Sequence, residues 1–156
     1  MVKSKKVQNT LSKESVAEGS ECMAFNLKKA TRSVQNLFDN AFKSIGLEGT
    51  QYTVLAHIYI SGPITLTKLA DLMSVNRTTL GRNLKPLKKK GLISIKSGDD
   101  RRAKLIAITN NGIEVLTRAQ PIWKETHDRI KELLGGTNWA STIENLRVLT
   151  DKLRES

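Results

Sequence analysis

The chain is short of cysteine, of long apolar runs, and of acidic residues where its basic ones gather. Its one cysteine, Cys22, rules out an intrachain disulfide, and a lone thiol suits a reducing compartment. No apolar stretch approaches the roughly 20 residues of a membrane-spanning helix. Lys3, Lys5 and Lys6 near the start are not followed by the apolar core of a secretory signal. The expected location is the cytoplasm, with no membrane partner. Catalytic signatures are missing as well: no glycine-rich phosphate loop, no His-Glu-x-x-His pair and no nucleophile elbow. A Ser-His-Asp set can be assembled from any chain this long and carries no weight. Cys22, His57 and His127 lie far apart, with no pair at metal-ligand spacing. No catalytic residue, metal or cofactor is expected, so the class is a binding protein and not an enzyme.

At 156 residues with 38% apolar content, the chain suits one domain, or one domain with helical extensions. It has 26 basic residues against 15 acidic ones, a net charge of +11. Placement matters more than size. Residues 76–104 hold ten basic residues and only Asp99 and Asp100 as acids, a net of +8, whereas residues 105–156 balance at seven of each. Charge concentrated on one segment is the footprint of a polyanion binder.

That segment also has the most legible local structure. Asn76 is a good N-cap, because its side chain can accept from a backbone N–H one turn in. Leu80, Leu84 and Leu87 then recur at helical spacing and mark one apolar face. Arg77, Thr78, Arg82, Asn83 and Lys85 fall on the other faces. Gly91, after Lys88-Lys89-Lys90, stops the helix with cations near the negative end of its dipole. Ile93 and Ile95 alternate with Ser94 and Lys96, and Ile106 and Ile108 with Leu105 and Ala107, which predicts a hairpin. Its tip, residues 98–102, carries Arg101 and Arg102. Upstream, Thr65 caps a short helix with Leu66, Leu69, Ala70 and Met73 on its apolar face. A short helix, a tight turn, a polar second helix and a basic hairpin predict a winged helix-turn-helix.

The rest of the chain frames this unit. Residues 1–19 are polar and are expected to form a flexible arm. A long amphipathic helix is predicted over residues 20–45, capped by Ser20, carrying Leu27, Val34, Leu37, Phe38 and Phe42, and ended by Gly46. A second spans about 50–61, with Tyr52, Leu55, Ile58 and Tyr59, and breaks at Gly62-Pro63. Thr109 is expected to cap a helix carrying Ile113, Leu116, Ile122, Trp123, Ile130, Leu133 and Leu134, kinked at Pro121. Gly135-Gly136 turns it into a last helix with Trp139, Ile143, Leu146, Leu149 and Leu153. The expected class is mainly α with a small β-hairpin. The expected organisation is a dimerisation helix at 20–49, a DNA-binding domain at 50–109 and C-terminal dimerisation helices at 110–156. A two-fold dimer would set its two reading helices about 34 Å apart, one turn of the duplex.

Over roughly residues 21–154 the sequence resembles the MarR family of bacterial transcription regulators. The most specific stretches are Asn76-Arg77-Thr78-Thr79-Leu80, Leu84-Lys85-Pro86-Leu87 before Gly91-Leu92-Ile93, and Asp100-Arg101-Arg102 followed by Leu105–Thr109 and Gly112. Where the family ends its strand in Leu-Thr, this chain has Ile108-Thr109. The resemblance implies a homodimer on a short palindromic DNA operator, usually as a repressor, released by a small phenolic or lipophilic effector or by oxidation of a cysteine. By position, it places Thr78, Thr79 and Arg82 toward the groove and Arg77 and Asn83 at phosphates or bases. It puts Arg102 in the minor groove, with Asp100 orienting a guanidinium. It also makes Pro86 unsurprising in a helix, where propensity argues against it.

Two sites remain open at this level. Cys22, near the start of the first helix, is the candidate for an oxidation sensor or else a small residue buried at a subunit interface. Relative to the family, it falls about half a turn early and lacks the usual tyrosine. His57, Tyr59 and Trp123 are candidates for lining an effector pocket, or else are ordinary core. A non-specific nucleic-acid-binding winged-helix protein is the alternative to a sequence-specific regulator. Arg102→Ala is expected to weaken DNA binding strongly, most on A·T-rich flanks, and to lower the salt slope by about one unit. A salt titration on A·T-rich and G·C-rich duplexes checks this, and wild-type binding on both would contradict a DNA-contacting wing.

Overall fold

Three helices start on a side chain that takes over an orphaned backbone N–H. Thr65 Oγ1 accepts from the Lys68 N–H at 3.3 Å, Asn76 Oδ1 from Thr79 at 2.7 Å and Thr109 Oγ1 from Gly112 at 3.1 Å. All three caps are those expected from the sequence. The computed structural model describes residues 21–97 and 104–155. Helix α1 spans Met23–Phe42 and continues into a 3-10 turn, Lys43–Ile45. Helix α2 is Gly49–Ser61, strand β1 Ile64–Thr65, helix α3 Leu66–Leu72 and helix α4 Arg77–Lys89. Strands β2, Ile93–Ser97, and β3, Lys104–Ile108, precede helix α5, Asn110–Leu134, and helix α6, Gly136–Arg154. The chain divides into two compact units after Asn36.

The sheet is antiparallel, in the order β1-β3-β2. Ile93 faces Ile108 and Ile95 faces Ile106, the register that the alternating isoleucines predict. The expected two-stranded hairpin is corrected to three strands, because Ile64 pairs with Ile106 and Thr65 with Leu105. Two residues are too few to show a period, so β1 left no signal in the sequence. Ser97 pairs with Lys104, and the residues between them, with the arm at 1–19 and Ser20, lie outside the described residues.

The core gathers where α2, α3, α4 and the sheet meet. Leu55, Ile58, Leu69, Leu80, Leu87 and Ile106 are all but inaccessible to solvent, as is Phe42 at the end of α1. Gly46, in the left-handed region at φ 65°, stops the 3-10 turn. The N–H of Gly49 at the start of α2 then donates to Asp39 Oδ1 at 2.7 Å.

Beyond the core the expected helices need adjustment. Helix α5 contains Pro121 as expected and is one helix on both sides of it. Its buried face is Gly112, Val115, Leu116, Ala119 and Thr126, while Ile113, Leu133 and Leu134 are exposed. The turn before α6 rests on Gly135 alone, at φ 75°, and Gly136 already belongs to the helix. Helix α6 has no buried residue; Trp139, Ile143 and Leu149 are half-buried and Leu146, Val148 and Leu153 exposed.

Gly112 shows why one glycine is needed in the first turn of α5. A Cβ there would lie 2.1 Å from the Leu92 carbonyl oxygen and 2.7 Å from Ile108 Cγ1. The contact is with backbone and cannot be relieved by a rotamer change. Gly81, within α4, has open space in the same direction. Gly112→Ala is therefore expected to destabilise the protein by roughly 1–3 kcal/mol. Gly81→Ala should stabilise it by roughly 0.5–1 kcal/mol, as alanine does within a helix. Urea midpoints distinguish the two; similar shifts in both would contradict the close approach at Gly112.

Candidate nucleic-acid interface

Helix α4 is amphipathic in a way that fixes its orientation. Leu80, Leu84 and Leu87 are buried. At 3.6 residues per turn, Thr78, Arg82, Lys85 and Lys89 lie within about 50° of the opposite direction, and all four are exposed. Arg77 and Asn83 sit on the two flanks, the first exposed and the second half-buried. Thr79 is exposed, but its N–H is engaged by the Asn76 cap at 2.7 Å. The structure therefore groups Thr78, Arg82 and Lys85 on one outward face and adds Lys89, which sequence reasoning left out of the site. A wheel drawn from the leucines would have found it.

Among the described residues, Arg77, Arg82, Lys85, Lys88 and Lys89 have no acidic partner: the ion pairs there are Lys124–Asp128, His127–Asp128 and Arg147–Glu144. Helix α4 contains no acid at all. Among the described residues these cations are not neutralised, which is the state in which they can meet phosphates. Lys96 on β2 and Lys104 on β3 are exposed as well. Asp100, Arg101 and Arg102 lie outside the described residues.

Lys90 is the exception, and a correction to the basic patch. Its Nζ donates to the Gly46 carbonyl at 2.8 Å and to Gln51 Oε1 at 3.0 Å. Gln51 is buried, so this lysine satisfies an interior amide. Its own carbonyl accepts from Asn111 Nδ2 at 3.3 Å, while Thr109 Oγ1 donates to the Gly91 carbonyl at 2.7 Å. The C-terminal end of α4 is thereby tied to both α2 and the start of α5. Contacts across this span of sequence have no local signature.

A cavity of about 480 Å³ lies between α2 and α5, lined by Tyr52, Ala56, Tyr59, Leu116, Thr117 and Gln120 among others. Of the three pocket candidates only Tyr59 is among its lining residues. His57 turns along its own helix, where Nδ1–H donates to the Thr53 carbonyl at 2.7 Å. Trp123 stacks between Tyr52, at 6.0 Å, and His127, at 4.7 Å. Tyr52, not singled out in the sequence, is the second phenol of the cavity. Burial raises its pKa above the ordinary 10.0, so at neutral pH it is protonated.

Cys22 precedes α1 and is exposed and unpaired by disulfide. Its carbonyl accepts from the Asn26 N–H at 3.0 Å and from Asn26 Nδ2 at 3.1 Å. Within the single chain it is thus not a buried residue. Among the described residues no three His, Cys, Asp or Glu side chains cluster as metal ligands would. None of the described helices is long and apolar enough to cross a membrane.

Together these features define a winged helix-turn-helix with an uncompensated basic second helix. A model of the MarR family matches residues 45–103. The M. tuberculosis transcriptional regulator MosR, solved in complex with DNA, is 31% identical, covering 86% of this chain and 99% of that one at a TM-score of 0.76. The transcriptional repressor CouR, bound to a 23-mer DNA duplex, is 27% identical, covering 85% of this chain and 95% of that one at a TM-score of 0.76. The HTH-type transcriptional regulator YwoH of Bacillus subtilis is 25% identical over 83 residues, which is 53% of this chain and 61% of YwoH's own length. The chain belongs to the MarR family of DNA-binding transcriptional regulators; that family and fold are those of regulators and not of enzymes.

Asn76 separates the two roles of this region. Asn76→Ala is expected to cost about 1 kcal/mol of stability through loss of the cap. Asn76→Asp keeps the cap, and a carboxylate at a helix N-terminus is favourable. Its stability should therefore hold while DNA affinity falls, because a negative charge is placed at the end of the reading helix. Urea melts and duplex binding on both variants check the pair; undiminished binding by Asn76→Asp would remove this end of α4 from the interface.

Proposed function

We propose that the protein is a homodimeric, sequence-specific regulator of transcription, acting as a repressor on a palindromic operator. Helix α4 enters the major groove through Thr78, Thr79, Arg82 and Lys85. Arg77 and Asn83 contact phosphates or base edges alongside. The loop between β2 and β3, with Arg102 held by Asp100, reaches the adjacent minor groove beside Arg101. The observation that carries this reading is the outward face of α4: its cations are exposed and, among the described residues, without an acidic partner, while its opposite face is locked in the core. The DNA-bound states of MosR and CouR, and the repressor role of CouR, support it.

The dimerisation surface is assigned to residues 20–49 and 110–156, flanking a DNA-binding domain at 50–109. Helix α6 supports this: it buries no residue of its own and leaves Leu146, Val148 and Leu153 exposed, and an apolar helix surface in water suits an interface. The cavity between α2 and α5 is the effector site. Its mostly apolar wall, with Tyr59, Thr117 and Gln120 as polar tips, suits a small lipophilic or phenolic ligand.

Arg82→Ala is the decisive substitution. On a duplex selected from a random pool it should cost about 1–3 kcal/mol and relax preference at one or two positions. Binding to unrelated DNA should fall much less. Equal losses on selected and unrelated duplexes would reduce Arg82 to a phosphate contact and favour a non-specific binder.

A further inference from the structure

The last helix reaches back to the turn between α3 and α4. Arg154, the final residue of α6, donates from Nη2 to the Asp71 carbonyl at 2.9 Å and to the Ser74 hydroxyl. The acceptor on Asp71 is backbone, not carboxylate. That carbonyl belongs to the last turn of α3, where the partial negative charge of the helix collects and a cation is favoured.

Ser74 is the one residue other than glycine, among the described residues, with a positive φ, 53°. Its N–H donates to the Asp71 carbonyl at 3.1 Å, and the Val75 N–H to Ala70 at 3.0 Å. These bonds close α3 in the manner for which glycine is the usual residue. A serine there carries a backbone cost that glycine avoids. What it offers in return is the hydroxyl that Arg154 holds. Only residues 73–76 separate α3 from α4, so the backbone angles of Ser74 set the direction in which α4 leaves.

We propose that Arg154 is a positioning residue for DNA binding. By holding the Asp71 carbonyl and the Ser74 hydroxyl together, it fixes the α3–α4 turn and links the placement of α6 to the presentation of α4. A rearrangement of α6 would then alter DNA affinity without touching the interface. This rests on the DNA-binding reading above. A direct contact of Arg154 with phosphate is the competing account, and it has a different signature.

The test uses the full chain and a duplex selected by the wild-type protein from a random pool. Arg154→Ala and Ser74→Ala should each weaken binding about fivefold or more. The double variant should be no weaker than Arg154→Ala alone, as expected of partners in one interaction. The salt slope should not change, and Arg154→Lys should recover only part of the loss, because an ammonium can also donate to two acceptors from one nitrogen but sits on a shorter stem. In the free protein, the amides of Ser74 and Val75 should exchange hydrogen faster in both single variants. Unchanged affinity or unchanged exchange in Arg154→Ala would overturn the proposal. So would a salt slope lowered by about one with Ser74→Ala binding like wild type, the mark of a phosphate contact. If the wild type selects no duplex, the DNA-binding reading falls and takes the positioning role with it. Selection by the wild type with unaltered variants overturns the positioning role alone.

Discussion

The burial of Leu80, Leu84 and Leu87 is the constraint on which the rest depends. Helix α4 carries Arg77, Arg82, Lys85, Lys88 and Lys89 with no acid of its own. Like charges three or four residues apart cost roughly 0.2–0.5 kcal/mol per pair. Each buried leucine contributes roughly 1.5–3 kcal/mol, so three of them exceed the repulsion several-fold. The helix can therefore leave its cations unpaired. Salt bridges at those positions would add little to stability and would remove the charge that a polyanion needs. Because the leucines recur at helical spacing, the same burial that holds α4 also dictates which residues face outward.

Local features of the fold are legible in the sequence. The caps at Thr65, Asn76 and Thr109, the leucine face of α4 and the isoleucine register of the sheet all follow from short-range rules and reappear in the structure. The misses are of another kind. Strand β1 is too short for alternation to show. Lys90 looks like one more surface cation until its ammonium is seen on Gly46 and Gln51, residues about forty positions away in sequence. On α5, periodicity named Ile113 and Leu133 but not Gly112 and Ala119, because small residues that permit close packing carry little hydrophobic signal. The trio His57, Tyr59 and Trp123 shares an aromatic character rather than a site. Of the three, one lines the cavity, one hydrogen-bonds along its own helix and one joins a stack. The wing arginines lie outside the described residues, so their assignment still rests on sequence and resemblance.

The few aromatic residues are placed with economy. Phe38, Phe42, Tyr52, Trp123 and Trp139, with His127 between the two indoles, form one continuous line of ring contacts from the end of α1 through α2 and α5 to α6. Tyr52 belongs both to this line and to the wall of the α2–α5 cavity. The far end of α4 is bonded to α2 through Lys90 and to α5 through Asn111. On the proposed function, an effector that separates α2 from α5 pulls on both anchors of the reading helix at once. The turn at its other end is held by Arg154. The two ends of α4 are thus tied to α2, α5 and α6.

The claim at the centre of this account is that α4 reads the major groove as one of a symmetric pair. A dimethyl sulfate footprint on a duplex selected from a random pool tests it most directly, because guanine N7 lies in the major groove and adenine N3 in the minor groove. The account predicts protected guanine N7 atoms in two patches about ten base pairs apart, flanked by protected adenine N3 atoms where the wings reach. Tight binding with no N7 protection, or with a single unpaired patch, would contradict it.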